Sequence, residues 1–138
     1  MQNLERRNAL LLIGATSALT FTVPVLGAAA PLRIATIGAG RMGGSVGTAW
    51  AKAGHDVMFS SRHPETLKDL VASAGPHARA GTVKDAVAFG DVIVLLVPYS
   101  AMPDLAKDYG KALAAKPLVI DVSNPSERRD GEPGKIAA

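Results

Sequence analysis

The stretch from Gly38 to Gly43 has the residue types and the spacing of a phosphate-binding turn. It reads Gly38, Ala39, Gly40, Arg41, Met42 and Gly43, with glycine at the first, third and sixth positions. In such a turn the first glycine permits the tight bend and the second lets the backbone approach a pyrophosphate. The third glycine allows the following helix to pack closely on the preceding strand. Free amides at the helix start attract the anion, so we expect these six residues to bind a dinucleotide.

The surroundings of this turn strengthen the prediction. An apolar strand pattern over residues 32–38 leads into the turn, and a helical pattern over residues 41–53 comes directly after it. A glycine fingerprint is informative only in this position, between a strand and a helix. The alternative is an empty glycine turn in an α/β domain that binds no ligand.

The end of the second predicted strand indicates which dinucleotide is bound. It reads Ser60, Ser61 and Arg62, and no carboxylate lies between Val57 and Pro64. NAD-binding domains usually place an acidic residue here, on the ribose hydroxyl. Two hydroxyls and a guanidinium instead offer charge-assisted hydrogen bonds to a 2′-phosphate, which favours NADP. Alternatively, Arg62 is solvated and stacks on adenine, which would suit NAD equally well.

The rest of the chain alternates strand and helix patterns. Strands are predicted over residues 32–38, 56–60, 78–80, 92–97 and 118–122, and helices over residues 41–53, 64–74, 82–89 and 100–115. The first helix has an apolar face made of Met42, Val46, Ala49, Trp50 and Ala53. Such alternation implies crossover units and a parallel sheet. We predict a doubly wound α/β domain of about five strands in the order 3-2-1-4-5, with the glycine turn at the switch point.

The first 29 residues differ in composition from the rest of the chain. A short polar start contains the pair Arg6-Arg7, an uncharged and moderately apolar stretch comes next, and the segment ends in small residues. These are the three regions of a secretory signal, and the arginine pair resembles a twin-arginine signal. We predict export, periplasmic or extracellular, with cleavage after Ala29. The alternative is an uncleaved membrane anchor, because the stretch is just long enough to span a bilayer.

Composition excludes several other classes of function. The chain has 138 residues, a formal net charge of +3 without a basic run, and no cysteine. The length is typical of a single domain. The chain lacks the basic face that nucleic-acid binding needs. Without cysteine it has no thiolate metal site and no cysteine nucleophile. We predict no metal site and leave the catalytic residues unassigned. Its three histidines, His55, His63 and His77, show no catalytic arrangement, and residues 126–138 are predicted as a polar tail or a truncated continuation.

Several stretches together resemble the deazaflavin-dependent NADP oxidoreductase family, which is related to the pyrroline-5-carboxylate reductases. They are Ile34 to Gly43, Gly54 to Val57, Ser60 to Arg62, Val94 to Ala101 and Ile120 to Pro125. The resemblance covers Leu32 to about Pro125 and implies a Rossmann NADP-binding domain over residues 30–125. It also implies that Ser61 and Arg62 hold the 2′-phosphate and that Val97 and Pro98 lie along the nicotinamide half. Asn124 would lie near the reacting face.

The resemblance implies an oxidoreductase that transfers hydride between NADP(H) and a second cofactor or a small substrate. The chain departs from the family in its export signal and in stopping near the point where members continue into a substrate pocket. Most of the pocket for a deazaflavin co-substrate is therefore expected to be missing. A second interpretation is a non-catalytic dinucleotide-binding module, or a truncated remnant, that acts with a partner subunit. The sequence does not determine whether the chain forms a homo-oligomer.

Overall fold

A computed structural model describes residues 30–137 of the protein. The predicted export signal, residues 1–29, lies outside the described residues. The sheet contains five strands: β1 (Arg33–Ile37), β2 (Asp56–Ser60), β3 (Ala78–Gly81), β4 (Val92–Leu95) and β5 (Leu118–Asp121). All neighbouring pairs are parallel and the order is β3-β2-β1-β4-β5. The predicted Rossmann-type fold and strand order are confirmed.

Six α-helices accompany the sheet in the described residues: α1 (Arg41–Lys52), α2 (Lys68–Ala74), α3 (Val83–Phe89), α4 (Met102–Ala114), α5 (Glu127–Asp130) and α6 (Glu132–Ala137). Short 3-10 turns, Pro64–Leu67 and Tyr99–Ala101, lead into α2 and α4. Thr82 caps α3 reciprocally with Asp85, since each side chain accepts a hydrogen bond from the other residue's backbone amide. No helix among residues 30–137 is long and apolar enough to cross a membrane.

The core is divided between the two faces of the sheet. Ile34, Val57 and Phe59 belong to one buried cluster, together with residues of α1 and α2. Ile37 and Ile93 belong to the other, together with residues of α3 and α4. Because β1 lies between β2 and β4 in register, Ile37 is level with both Ser60 and Leu95. The carboxyl ends of three strands therefore meet at one edge.

Helix α1 buries a different face from the one predicted. Its buried residues are Gly43, Gly44, Gly47 and Ala51, whereas Met42 is 59% exposed and Ala49 is also exposed. A Cβ placed on Gly47 would lie 2.3 Å from Cε1 of Phe59. The helix axis lies too close to the sheet for a side chain at this contact, so the glycine face packs inward. Of the predicted apolar face, Trp50 packs at the margin of the core, whereas Met42, Ala49 and Ala53 are exposed.

The segment after β5, predicted as a polar tail or a truncated continuation over residues 126–138, contains two short helices that the sequence patterns did not indicate. Residues 127–137 form α5 and α6 and bury Asp130. This segment is held by polar contacts around one carboxylate. A search for apolar periodicity does not detect such a segment.

Candidate functional site

A cavity of about 540 Å³ lies at the carboxyl ends of β1, β2 and β4. Eight of the twelve residues predicted to bind a cofactor line it: Gly38, Ala39, Gly40, Ser60, Ser61, Arg62, Val97 and Pro98. Open α/β sheets bind ligands at this edge, where the strand order reverses. The structure thus brings together the glycine turn, the β2 end and the β4 end, which are far apart in the sequence.

The three glycines of the turn differ in what a side chain at each position would contact. Gly38 has a φ of +105°, and a Cβ there would lie 2.6 Å from the carbonyl oxygen of Leu96. A Cβ on Gly43 would lie 1.9 Å from the carbonyl oxygen of Gly38. A Cβ on Gly40, in contrast, would have no protein atom within 4 Å. The fold itself requires Gly38 and Gly43, whereas Gly40 leaves open space at the mouth of the cavity.

The start of α1 can accept an anion. Gly40 is its N-cap, no side chain caps the helix, and its first turn contains no acidic residue. The first amides of a helix have no partner within the helix, and together with the helix dipole they favour a phosphate. The open space at Gly40 lies beside these amides. The arrangement fits the pyrophosphate of a dinucleotide.

The two serines at the end of β2 have mainly structural hydrogen bonds. Ser60 is fully buried, and its Oγ accepts the amide of Gly38 at 3.4 Å, which ties β2 to the glycine turn. The Oγ of Ser61 accepts the amide of His63 at 3.0 Å. Each hydroxyl still has a hydrogen to donate, and only Ser61, the less buried of the two, can direct it toward a ligand in the cavity.

Arg62 provides positive charge at the same end of the cavity. Its side chain is exposed, and within residues 30–137 it forms no salt bridge. Glu65, three positions further on, is hydrogen-bonded to His63 at 3.2 Å. The guanidinium therefore has its donors available for an anionic ligand.

Helix α4 supplies a wall of the cavity that the sequence patterns did not predict. Asp104, Leu105, Asp108 and Tyr109 line the cavity from this helix. They stand at i, i+1, i+4 and i+5, so that they share one helical face. This spacing is visible in the sequence, but only the fold shows that the face borders the glycine turn.

A family model described as "NADP oxidoreductase coenzyme F420-dependent" matches residues 33–125. The chain belongs to this family. The matched residues run from the first residue of β1 to just beyond β5 and include every strand of the sheet. The resemblance identified from the sequence motifs is confirmed.

Solved structures with the same fold include a candidate F420-dependent NADP reductase from Arthrobacter sp. FB24, with a TM-score of 0.59 and 24% identity over 68% of this chain and 46% of that one. The 3-hydroxyisobutyrate dehydrogenase of Mycobacterium tuberculosis has a TM-score of 0.52 and 27% identity, over 78% of this chain and 36% of that one. An imine reductase from Myxococcus stipitatus, in complex with NAD⁺, has a TM-score of 0.52 and 28% identity, over 71% of this chain and 32% of that one.

The chain spans less than half the length of each of these solved structures. No curated protein matched it significantly. Membership of the family and the shared fold make residues 33–125 a nicotinamide-dinucleotide-binding oxidoreductase domain.

Four of the residues predicted to bind the cofactor do not line the cavity at the carboxyl ends of β1, β2 and β4. Arg41 lines a neighbouring cavity of about 570 Å³ on the other side of the glycine turn. Met42 is exposed, and Gly43 is packed beneath Gly38. Asn124 is exposed beyond β5, where its backbone carbonyl accepts a hydrogen bond from Arg129. No group of three metal-ligating side chains occurs in the described part of the chain.

Proposed function

We propose that the chain binds NADP(H), in preference to NAD(H), in the cavity at the carboxyl ends of β1, β2 and β4, and that it is part of an oxidoreductase that transfers hydride to or from that cofactor. The observation that carries this proposal is the carboxylate-free end of β2 beside an uncapped helix start. Arg62 is unpaired among the described residues there, and Ser61 has a hydroxyl hydrogen to donate. Both would contact a 2′-phosphate through charge-assisted hydrogen bonds.

The two ends of the cavity match the two halves of the dinucleotide. In a doubly wound sheet each half of the cofactor belongs to one half of the strands, on either side of the switch point. The adenosine half would lie toward β2, with its 2′-phosphate at Arg62. The nicotinamide half would lie toward β4, along Val97 and Pro98, and the amides at the start of α1 would hold the pyrophosphate between them.

The bound nicotinamide supplies the hydride, and the described residues orient it. The walls at Val97, Pro98 and Leu105 are apolar and line one continuous cavity. Hydride transfer between two bound cofactors needs mainly positioning. Suitable acceptors for an assay are a deazaflavin, because of the family, and cyclic imines, because one structural neighbour is an imine reductase. Turnover of NADPH with either acceptor would favour an enzyme over a binding module.

Substituting Arg62 tests the choice of cofactor. In Arg62→Ala we expect NADPH affinity to fall by about ten- to hundredfold, from the loss of roughly 1.5–3 kcal/mol of charge-assisted hydrogen bonding. NADH affinity should stay nearly unchanged, because NADH has no phosphate at this position. The measurement is a titration of both cofactors by calorimetry. Lys52→Ala, at the far end of α1, is the control for the loss of one positive charge and should change neither affinity.

A second variant reverses the electrostatics of the same position. Ser61→Asp would repel the 2′-phosphate and offer the ribose hydroxyl an acceptor, so we expect the preference to move toward NADH. If Arg62→Ala weakens NADPH and NADH equally, the arginine stacks on adenine and the NADP assignment is wrong. If the wild-type chain binds neither cofactor, the whole proposal is wrong.

We further propose that the protein acts outside the cytoplasm. The support is the sequence of residues 1–29, with its arginine pair, apolar middle and small-residue end. A twin-arginine route exports proteins that have already folded, so it would allow a cofactor to be bound before export.

A further inference from the structure

Asp130 is a buried carboxylate at the end of α5, and it connects the loop after β4, which borders the cavity, with the loop after β5. Only 5% of the residue is exposed. Its Oδ1 accepts the amide of Ser100 at 3.2 Å and the hydroxyl of the same serine at 3.3 Å. Its Oδ2 accepts the amide of Ser126 at 3.0 Å. One side chain therefore binds the backbone after β4 and the backbone after β5.

Arg129 completes this arrangement. Its Nη2 donates to Oδ2 of Asp130 at 2.8 Å and also to the backbone carbonyl of Asn124. Hydrogen bonding from this guanidinium, together with the amides of Ser100 and Ser126, lowers the pKa of Asp130 to about 2, although burial opposes the shift. The carboxylate is thus ionised at any physiological pH. A charged group satisfied by several donors holds its partners more firmly than a neutral one.

The loop held by Ser100 is part of the cofactor cavity. Val97 and Pro98 precede it and Ala101 comes after it, and all three line the cavity. The ring of Pro98 restricts its φ angle. Because Asp130 also fixes the amide of Ser100, two residues later, the backbone of this wall has little freedom to move. The hydrogen bonds that Asp130 makes within the described residues go to Ser100, Ser126 and Arg129, and none goes to the loop after β2 that holds Ser61 and Arg62. The effect of Asp130 should therefore be confined to one half of the cavity.

We propose that Asp130, supported by Arg129, is a positioning residue for the nicotinamide half of the cavity. It fixes the wall formed by Val97 and Pro98 by anchoring Ser100 from behind. Residues 126–130, at the start of the predicted polar tail, thereby contribute to the site without touching the cofactor. This inference rests on the proposed dinucleotide binding.

The test compares a whole dinucleotide with its adenosine half. Asp130→Asn keeps one acceptor oxygen and removes the charge. We expect it to weaken NADPH binding by about tenfold, while the affinity for adenosine 2′,5′-bisphosphate, which has no nicotinamide, changes less than about twofold. The fluorescence of bound NADPH should also shift toward that of the free cofactor, because the nicotinamide is less well held. The full chain is used for every titration.

Asp91→Asn is the matched control. Asp91 is also a carboxylate bound by an arginine, with Arg33 Nη2 at 2.8 Å, and Arg33 lowers its pKa. It lies before β4, at the end of the sheet opposite the cavity, so the variant should leave both affinities unchanged. Arg129→Gln keeps the bonds of Asp130 to both serines, and it provides the same comparison if Asp130→Asn does not fold.

The outcomes separate this inference from the proposed function. A selective loss of NADPH affinity in Asp130→Asn, absent in Asp91→Asn, supports the inference. Equal weakening of NADPH and of adenosine 2′,5′-bisphosphate, or no change in either, overturns it while leaving dinucleotide binding intact. A wild-type chain that binds neither ligand overturns the proposed function, and this inference with it.

Discussion

Gly40 is the residue of the glycine turn whose identity the protein's own packing does not explain. Its backbone is extended, with φ of −67° and ψ of −168°, a conformation open to any residue. No protein atom would touch a Cβ there. Gly38 and Gly43, in contrast, lie against backbone atoms. The absence of a side chain at Gly40 therefore matters for a ligand that approaches the backbone, as a pyrophosphate does.

Gly40→Ala should separate binding from folding. We expect dinucleotide affinity to fall by roughly tenfold or more, because the new methyl group occupies the approach to the amides of α1. Stability should fall by only about 1 kcal/mol, the typical cost of alanine at an N-cap position, so that the domain still folds. Calorimetric titration with NADPH and thermal unfolding measure the two effects.

Gly110→Ala is the control for this substitution. Gly110 lies in α4, and a Cβ there also meets no atom within 4 Å. Alanine is the better helix former by about 1 kcal/mol, so this variant should gain stability and keep its affinity. A Gly40→Ala protein that binds NADPH as well as the wild type would show that the pyrophosphate lies elsewhere.

The role of a residue can be predicted from the sequence where that role depends on its neighbours along the chain. The glycine turn could be predicted because the strand, turn and helix that define it are consecutive. Asp104 and Asp108 could not be assigned to the cavity, because only the crossover from β4 to α4 brings that helical face to the β1 end. The hydrogen bond from the amide of Gly38 to Ser60 depends on strand register in the same way.

At the scale of elements, the packing of α1 on the sheet depends on small residues at every fourth position. Gly43, Gly47 and Ala51 are buried and lie one above another along the helix, which brings its axis close to β1 and β2. Close approach places the first amides of α1 directly above the end of β1. The small-residue face therefore positions the anion-binding end of the helix as well as filling the core.

Gly47→Ala tests this contact. A Cβ at Gly47 would lie 2.3 Å from Cε1 of Phe59 and 3.0 Å from Cζ, and Phe59 is fully buried, so the ring has no free space to move into. We expect a net loss of about 1–3 kcal/mol in the free energy of unfolding, despite the higher helix propensity of alanine. Urea unfolding measures the loss, with Gly110→Ala as the control that should gain stability. Unchanged or increased stability in Gly47→Ala would show that α1 can move away from the sheet without cost.

The strands and the first four helices were predicted well from the sequence, because there the hydrophobic periodicity and the turn residues at the ends of the elements indicate the same boundaries. β2 has the predicted boundaries, and α3 begins within one residue of the predicted helix and ends where predicted. The inward face of α1 was predicted only in part: Trp50 does pack against the core, but the buried glycines were missed, because a periodicity search gives weight to large side chains. Helices α5 and α6 were missed because Asp130, a single buried carboxylate, organises part of that segment instead of an apolar stripe.

Considering the whole molecule, the cavity and the point where the described chain begins lie at opposite ends of the sheet. The cavity is at the carboxyl ends of β1, β2 and β4. The described chain enters at Ala30 and begins β1 at Arg33, which is the amino end of the same strand. A segment attached at Ala30 therefore joins the domain at the end away from the cavity, so that export and cofactor binding impose separate requirements on the sequence.

This separation leads to a prediction about residues 1–29. Changing Arg6 and Arg7 together to lysine keeps the positive charge but removes the arginine pair that a twin-arginine pathway reads. We expect the variant to accumulate as uncleaved precursor in the cytoplasm and to bind NADPH as the wild type does. The exported wild-type protein should begin at Ala30. Fractionation, N-terminal sequencing and a cofactor titration provide the three measurements, and Arg128→Lys is the charge-conserving control outside the segment. Export of the double variant at the wild-type level would exclude the twin-arginine route, and an exported protein that retains Met1 would show that the segment is an anchor.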